Sequence, residues 1–295
     1  MSAPRVLITG GSGFIGRHLV EAFAARYEVL APTRAELDLV DASAVKRYLA
    51  DHPVDVIVHG AVQPGHRASK DPSNQLFKNC RMFFNFARCL RPSQRMIILG
   101  SGLVYDLRHY VPKMKETYFD THVPADEGGF SKYIIAKYAE RNAQMTELRL
   151  FGVFGAYEDY SIRFISNAIC KALFDLPITL RQRRLFDYLY VKDLPAIIEG
   201  FFAEPGSETA YNVTPDFAVD LYAIAERVRI LMRKDVPILV AEDGFGIEYS
   251  GDNARFRQRM PGVHFTALDD AIRDLAGWYR THKSDIRRDW LLVDK

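Results

Sequence analysis

Ser101, Tyr133 and Lys137 are the residues of this chain whose types and spacing suit chemistry on a carbonyl group. Tyr133 and Lys137 stand four apart in "YIIAK", which puts both on one face of a helix. A lysine ammonium beside a phenol stabilises the phenolate and draws its pKa down from about 10 toward the working pH. Tyr133 would then give a proton to a carbonyl oxygen, or take one from an alcohol, as hydride moves. Ser101, in "LGSGLVYD", follows an apolar run with strand character, and its hydroxyl would orient the reacting oxygen beside Tyr133. Taken singly these residues have ordinary uses: a surface helix pattern for the pair, a turn or cap for the serine.

A second group would hold the hydride carrier. Gly10, Gly13 and Gly16 follow the first strand directly and open a helix in "VLITGGSGFIG". Such a turn allows a tight bend, close approach of backbone to a pyrophosphate and close helix packing, while the helix N-terminus supplies free amides. The end of the second strand reads "APTRAE", with Thr33 and Arg34 where an NAD site usually carries a carboxylate for the ribose. The planar guanidinium of Arg34 would pair with the 2′-phosphate of NADP.

The elements that position these groups are legible as alternation. "RVLIT", "YEVLAP", "VDVIVHGAV", "RMIILGS" and "TELRLF" have strand character, and amphipathic stretches lie between them. Repeated βαβ units imply an α/β protein with a parallel sheet covered on both faces. Asp41 should cap "ASAVKRYLA", Asp71 and Pro72 suit a helix start, and Ser131 is expected to cap "KYIIAKYAERNAQ". After Gly155 the regularity loosens into helical "SIRFISNAICKALF", "AVDLYAIAERVRILM" and "ALDDAIRDLAGWYRTH", with short strands in "ITLR", "LFDYLYV" and "PILVAE".

Composition narrows the classes. Lys and Arg total 39 against 37 Asp and Glu, so no bulk charge calls for a nucleic acid or membrane surface. Cys80, Cys89 and Cys170 form neither CxxC nor a zinc-like cluster, so neither a disulfide framework nor a metal is expected. His59, His66 and His109 show no ligand spacing and receive no catalytic role. With no leader-like N-terminus and no apolar run approaching roughly 18 residues, a cytoplasmic location is expected.

Together "TGGSGFIG", Ser101 in "GSGLVY" and "YIIAK" resemble the extended short-chain dehydrogenase/reductase family, of the NAD-dependent epimerase/dehydratase type. Asn79 and Asn85 in "NCRMFFN", "FDYLYVKDL" and "TALDDAIRDLAGWY" extend the likeness over nearly the whole chain, nearest in pattern to its GDP-fucose synthase-like and 4-keto-6-deoxysugar reductase members. The resemblance implies a Rossmann doubly wound parallel sheet for NAD(P) over residues 1–155, with a later contribution from about 185–215. A smaller C-terminal α/β domain, mainly 156–295, would bind a nucleoside-diphosphate sugar. Tyr133 becomes the acid/base, Lys137 the ribose-binding cation and Ser101 the carbonyl partner. Cofactor contacts are expected at Gly10, Ser12, Gly13, Phe14, Ile15, Gly16, Thr33, Arg34, Asp41, Gly60, Ala61 and Asn79, as well as at Tyr133 and Lys137. Sugar contacts are expected at Leu103, Arg163, Asn167 and Arg184, and a homodimer through the helices of 72–90 and 131–144.

Departures narrow the reaction. Dehydratases of the family carry Asp and Glu where this chain has Gly102 and Leu103, and fucose-type epimerising members carry Cys at Leu103 and a His that "YEDYSIRFIS" lacks. Phe186 stands where many relatives have a pyrophosphate Arg; Arg181, Arg183 and Arg184 lie just upstream. The expectation is NADPH-dependent reduction of a nucleoside-diphosphate 4-keto-6-deoxysugar, NADP(H) being preferred and NAD(H) possible. The alternatives are an NAD-retaining 4-epimerase and, last, a non-enzymatic NADP sensor or scaffold.

Overall fold

Strands that are apolar on both faces demand cover on both faces, and the chain supplies it. The computed structural model describes residues 4–63, 74–204 and 206–292. Its first half runs β1 (Arg5–Thr9), α1 (Phe14–Phe23), β2 (Glu28–Leu30), α2 (Ala42–Asp51), β3 (Val56–His59), α3 (Gln75–Ala87), β4 (Arg95–Ser101), α4 (Glu127–Ala139) and β5 (Met145–Leu150). Then follow β6 (Gly152–Phe154), α5 (Phe164–Leu173), β7 (Ile178–Arg183), β8 (Leu185–Phe186), β9 (Tyr188–Tyr190), α6 (Leu194–Glu199) and β10 (Ala210–Val213). The chain closes with β11 (Val219–Asp220), α7 (Leu221–Met232), β12 (Ile238–Phe245), α8 (Ala254–Arg259), α9 (Leu268–Thr281) and α10 (Arg288–Leu291).

The main sheet has the order β10-β5-β4-β3-β1-β2, and every pairing in it is parallel. Val6, Ile8, Val58 and Ile97 enter one apolar cluster with Leu19 and Phe23 of α1. The alternate residues Leu7, Ile57, Met96 and Ile98 enter another, with Val45 of α2, Phe83 of α3 and Ile135 of α4. This is a Rossmann-type doubly wound sheet. Strand order reverses between β1 and β3, so the helices after them diverge and leave a crevice at the strands' carboxyl ends. Three two-stranded pairings, β12 with β7, β6 with β9 and β11 with β8, complete the later half.

Asp41 caps α2 as expected, accepting from the amides of Ser43 and Ala44 at 2.8 and 3.1 Å. The start of α4 differs from the sequence reading. Its cap is Asp126, which accepts from the Gly129 amide at 2.7 Å, and Ser131 lies inside the helix, fully buried, donating to the Gly128 carbonyl at 2.8 Å. Gly128 and Gly129 each lower helix propensity by about 1 kcal/mol, which disguises the first turn, but the aspartate cap holds it. Asp71, Pro72 and His66 lie outside the described residues. Among those described, no helix is long and apolar enough to cross a membrane.

Candidate active site

A cavity of about 610 Å³ occupies the crevice at the switch point. Gly10, Ser12, Gly13, Phe14, Ile15 and Gly16 line one part of it. Gly10 has a φ of 74°, and a Cβ on Gly16 would stand 2.1 Å from the Gly10 carbonyl oxygen, so the turn closes only with glycine there. Gly13 begins α1 without a side-chain cap, which leaves the helix's first amides to face the cavity. A dinucleotide pyrophosphate fits this cradle. Across the crevice the Thr9 hydroxyl accepts from the amides of Gly60 and Ala61 at 3.1 and 3.2 Å, so both residues line the cavity in a fixed position. Thr9 also bonds the Nδ1 of His59, and burial lowers that imidazole to about 3, leaving it neutral.

Arg34 lines the adjoining part of the cavity, together with Asp38, which the sequence reading passed over. Thr33 and Asp41 do not line it. The Thr33 amide and hydroxyl both donate to Glu36, at 2.7 and 2.9 Å, and Asp41 is committed to its helix cap. Asn79 does line it, accepting from the Gln63 amide at 2.7 Å and donating to Ser131 at 3.2 Å.

Ser101, at the carboxyl end of β4, lines the opposite part with Leu103, Phe151 and Arg163. Its Oγ accepts from the Leu103 amide at 3.2 Å. The expected sugar contacts Asn167 and Arg184 are directed elsewhere: Asn167 donates to the Tyr160 carbonyl at 3.0 Å, and the Arg184 guanidinium lies 5.5 Å over the Phe186 ring. Arg181 and Arg183 are spent on exposed ion pairs with Glu242 and Asp220.

α4 presents Gly128 and Lys132 to the cavity, and not Tyr133 and Lys137. Residues 128 and 132 stand one turn apart on one face, and each step along a helix turns the side chain by about 100°, which carries 133 and 137 round to another face. The Tyr133 phenol donates to Asp120, and Lys137 pairs with the same carboxylate at 2.8 Å. That hydrogen bond to Asp120 is the main reason the Tyr133 pKa rises; the opposite pull of Lys137 is smaller. The expected acidified phenol beside a ribose is therefore not what the fold builds at Tyr133.

Lys132 is the functional candidate that sequence reasoning missed. Its Nζ donates to the Leu99 carbonyl of β4 at 3.0 Å, and burial lowers the ammonium to about 8 against an opposing pull from Glu147. The available signal was its company: Ser131, Ile135, Ala136 and Ala139 are small or apolar and buried on the same helix. A lysine set in such a stripe, one turn after a glycine, is aimed inward.

A parallel sheet with a glycine turn at its switch point and a cleft beyond it defines a Rossmann-type dinucleotide-binding protein. The chain belongs to the NAD dependent epimerase/dehydratase family, whose model matches residues 6–214, and its fold is of the extended short-chain dehydrogenase/reductase type. It is 44% identical over 107 residues to a GDP-L-fucose synthase from Azorhizobium caulinodans, a match that spans 34% of each chain, about a third of that relative's length. In fold it is similar to a GDP-L-fucose synthetase from Naegleria fowleri, with a TM-score of 0.82 at 15% identity, covering 98% of this chain and 96% of that one. It is equally similar to a GDP-6-OMe-4-keto-L-xylo-heptose reductase from Campylobacter jejuni, with a TM-score of 0.82 at 17% identity, covering 96% and 99%.

Proposed function

We propose that the protein is an NADPH-dependent reductase of a nucleoside-diphosphate 4-keto-6-deoxysugar. The reading rests above all on the continuity of one cavity from the glycine turn, past Arg34, to the Ser101 hydroxyl. NADPH, when bound, supplies hydride. The chain's own residues do the rest: α1 amides hold the pyrophosphate, Arg34 pairs with the 2′-phosphate, and Lys132 takes the ribose-binding role first expected of Lys137. Ser101 orients the sugar carbonyl, and Arg163, which lines the cavity as Ser101 does, offers a guanidinium for a substrate phosphate. The partial match to a curated GDP-L-fucose synthase and the fold shared with a 4-keto-heptose reductase support a nucleotide-sugar substrate.

Asp38 favours a second reading. A carboxylate in the same part of the cavity suits the free ribose hydroxyls of NAD, and hence an NAD-retaining 4-epimerase. A panel of GDP-, dTDP- and CDP-linked 4-keto sugars, assayed by absorbance for oxidation of NADPH and NADH, separates the two. NADPH consumption with at least one ketone is the expected result. Release of stoichiometric NAD from the purified protein, with two sugars interconverted and no added cofactor consumed, would establish the epimerase. NADPH binding with no turnover of any ketone would leave only the sensor.

A further inference from the structure

Lys132 is partly withdrawn from water, and a cation in that position needs an opposite charge nearby or it sheds its proton. Its own helix offers none at the right spacing: the residues three and four away are Gly128, Gly129, Ile135 and Ala136. The opposite charge comes from the sheet beneath. We infer that Glu147 of β5 is the positioning residue of Lys132, holding its ammonium charged on the Leu99 carbonyl; the inference rests on the reading that gives Lys132 the cofactor ribose.

Three observations bring the two groups together. Met145 of β5 shares an apolar cluster with Ile135 and Ala139 of α4, and Glu147, two residues further along the strand, lies on the same face of the sheet. Lys132 precedes Ile135 and Ala139 by one and two turns, on the stripe of α4 that packs there. Next, both charged ends converge on consecutive residues of β4. The Lys132 Nζ donates to the Leu99 carbonyl at 3.0 Å, and a Cβ on Gly100 would stand 2.4 Å from Oε1 of Glu147. Only a residue with no side chain lets the carboxylate lie against the strand at this point, and Gly100 itself lines the cavity. Finally, the carboxylate is fixed from its other side. Glu147 is 1% exposed, and its Oε2 accepts from Arg149 Nε at 2.8 Å. The Arg149 guanidinium is buried too, lies 4.4 Å over the Phe119 ring and donates to the Tyr105 phenol at 2.9 Å. Oε2 thus answers the arginine, while Oε1 is the oxygen against Gly100, beside the peptide that holds Lys132.

The consequence is electrostatic. Burial pulls the Lys132 ammonium down to about 8, and the Glu147 carboxylate opposes that pull. Its other charged neighbours do not take over this part. On α4, Asp126 and Glu127 accept from the Gly129 and Gln75 amides at 2.7 and 3.2 Å. His59 of β3 is neutral above about 3, Lys78 of α3 lines the same cavity with the same sign of charge, and Arg149 is paired with Glu147 itself. Removing the carboxylate leaves Arg149 as an unpaired positive charge and lets Lys132 lose its proton at lower pH. A neutral amine makes an ordinary hydrogen bond to a ribose hydroxyl, and a charged one makes a stronger bond.

The NADPH dissociation constant, followed by nicotinamide fluorescence between about pH 6.5 and 9.5, should rise about tenfold in the wild type as pH passes through about 8. In Glu147→Gln the same rise should come about one pH unit lower, with the constant at the acid end within about twofold of wild type. Gly100→Ala, whose methyl displaces the carboxylate yet keeps the Arg149 pair, should move the rise in the same direction and serves if Glu147→Gln does not fold. A second readout needs no cofactor: in protein labelled at lysine Cε with carbon-13, the resonance missing from Lys132→Met should titrate at lower pH in both variants. A Lys132 resonance that titrates at the wild-type pH in the folded variants overturns the proposal. A resonance that moves as expected, while NADPH binding shows no rise at the pH where it titrates, upholds the Glu147 placement and refutes the ribose role of Lys132.

Discussion

Lys132 is held where burial lowers its ammonium to about 8, far from the ordinary lysine value near 10.4. A depressed pKa means that the unfolded chain binds more protons than the native one between those values, so native stability rises as pH climbs from 8 to about 10.4 and is lowest below 8. Lys132→Met should therefore stabilise the nucleotide-free protein at pH 7 by about 1–2 kcal/mol, less than the full shift because the cleft admits water. That advantage should shrink toward pH 10, as read by urea midpoints at several pH values. The same variant should bind NADPH about tenfold more weakly, because a charge-assisted contact is lost. Tyr133→Phe should behave differently. Its phenol is engaged with Asp120 outside the cavity, so NADPH-dependent turnover should stay within about twofold of wild type. A loss near a hundredfold would return the acid role to Tyr133. At this scale the sequence displayed the glycine cradle, Arg34 and Ser101, because each sits next to a strand end that periodicity locates. It concealed Lys132, because Tyr133 and Lys137 reproduce the spacing of Gly128 and Lys132 five residues later.

That error has its root in one element. α4 begins at Glu127, and the choice between the pairs 128/132 and 133/137 depends on whether its first turn is helical. Two glycines argue against a helix there; the Asp126 cap and the packing of α4 on α3 and β4 argue for it and prevail. Elsewhere the sequence reading of elements is close, because β1, β3, β4 and β5 are apolar runs with clean boundaries and α9 is strongly amphipathic. "LFDYLYV", read as one strand, is divided into β8 and β9 at Asp187, which is fully buried and bonded to the Gly251 amide at 2.8 Å. No local pattern announces such a division, since its partner lies on a distant loop. If the cap decides the first turn, Asp126→Ala should cost about 1 kcal/mol in urea unfolding and fray the turn that carries Gly128. NADPH affinity should fall several-fold with it, since Lys132 stands on the next turn of the same helix. A variant with an unchanged midpoint and unchanged affinity would show that packing alone holds the helix start.

Across the whole molecule the distribution of α3's apolar residues is the last clue. A helix that covers a sheet needs one apolar stripe, and α3 supplies it with Phe83 and Phe86 while Asn79 reaches the cofactor cleft. It nevertheless carries Phe77, Cys80 and Phe84 on its outer side, where with Leu76 and Ile134 of α4 they line an open groove of about 510 Å³. Phe77 is 60% exposed. An apolar outer patch on a helix is better covered than left in water, and a second copy of the chain, related by a twofold axis, would cover this one with the same helices. Arg81, Arg88 and Glu127 at the edge of the groove offer both signs of charge, as a self-complementary rim requires. The protein should therefore sediment at twice its 33.6 kDa chain mass at micromolar concentration, and Phe77→Asp should return it to the monomer while leaving the fold intact by circular dichroism. Because Asn79 projects from the same helix into the cleft, the monomeric variant should also bind NADPH more weakly, whereas a wild type that sediments as a monomer would remove both expectations together.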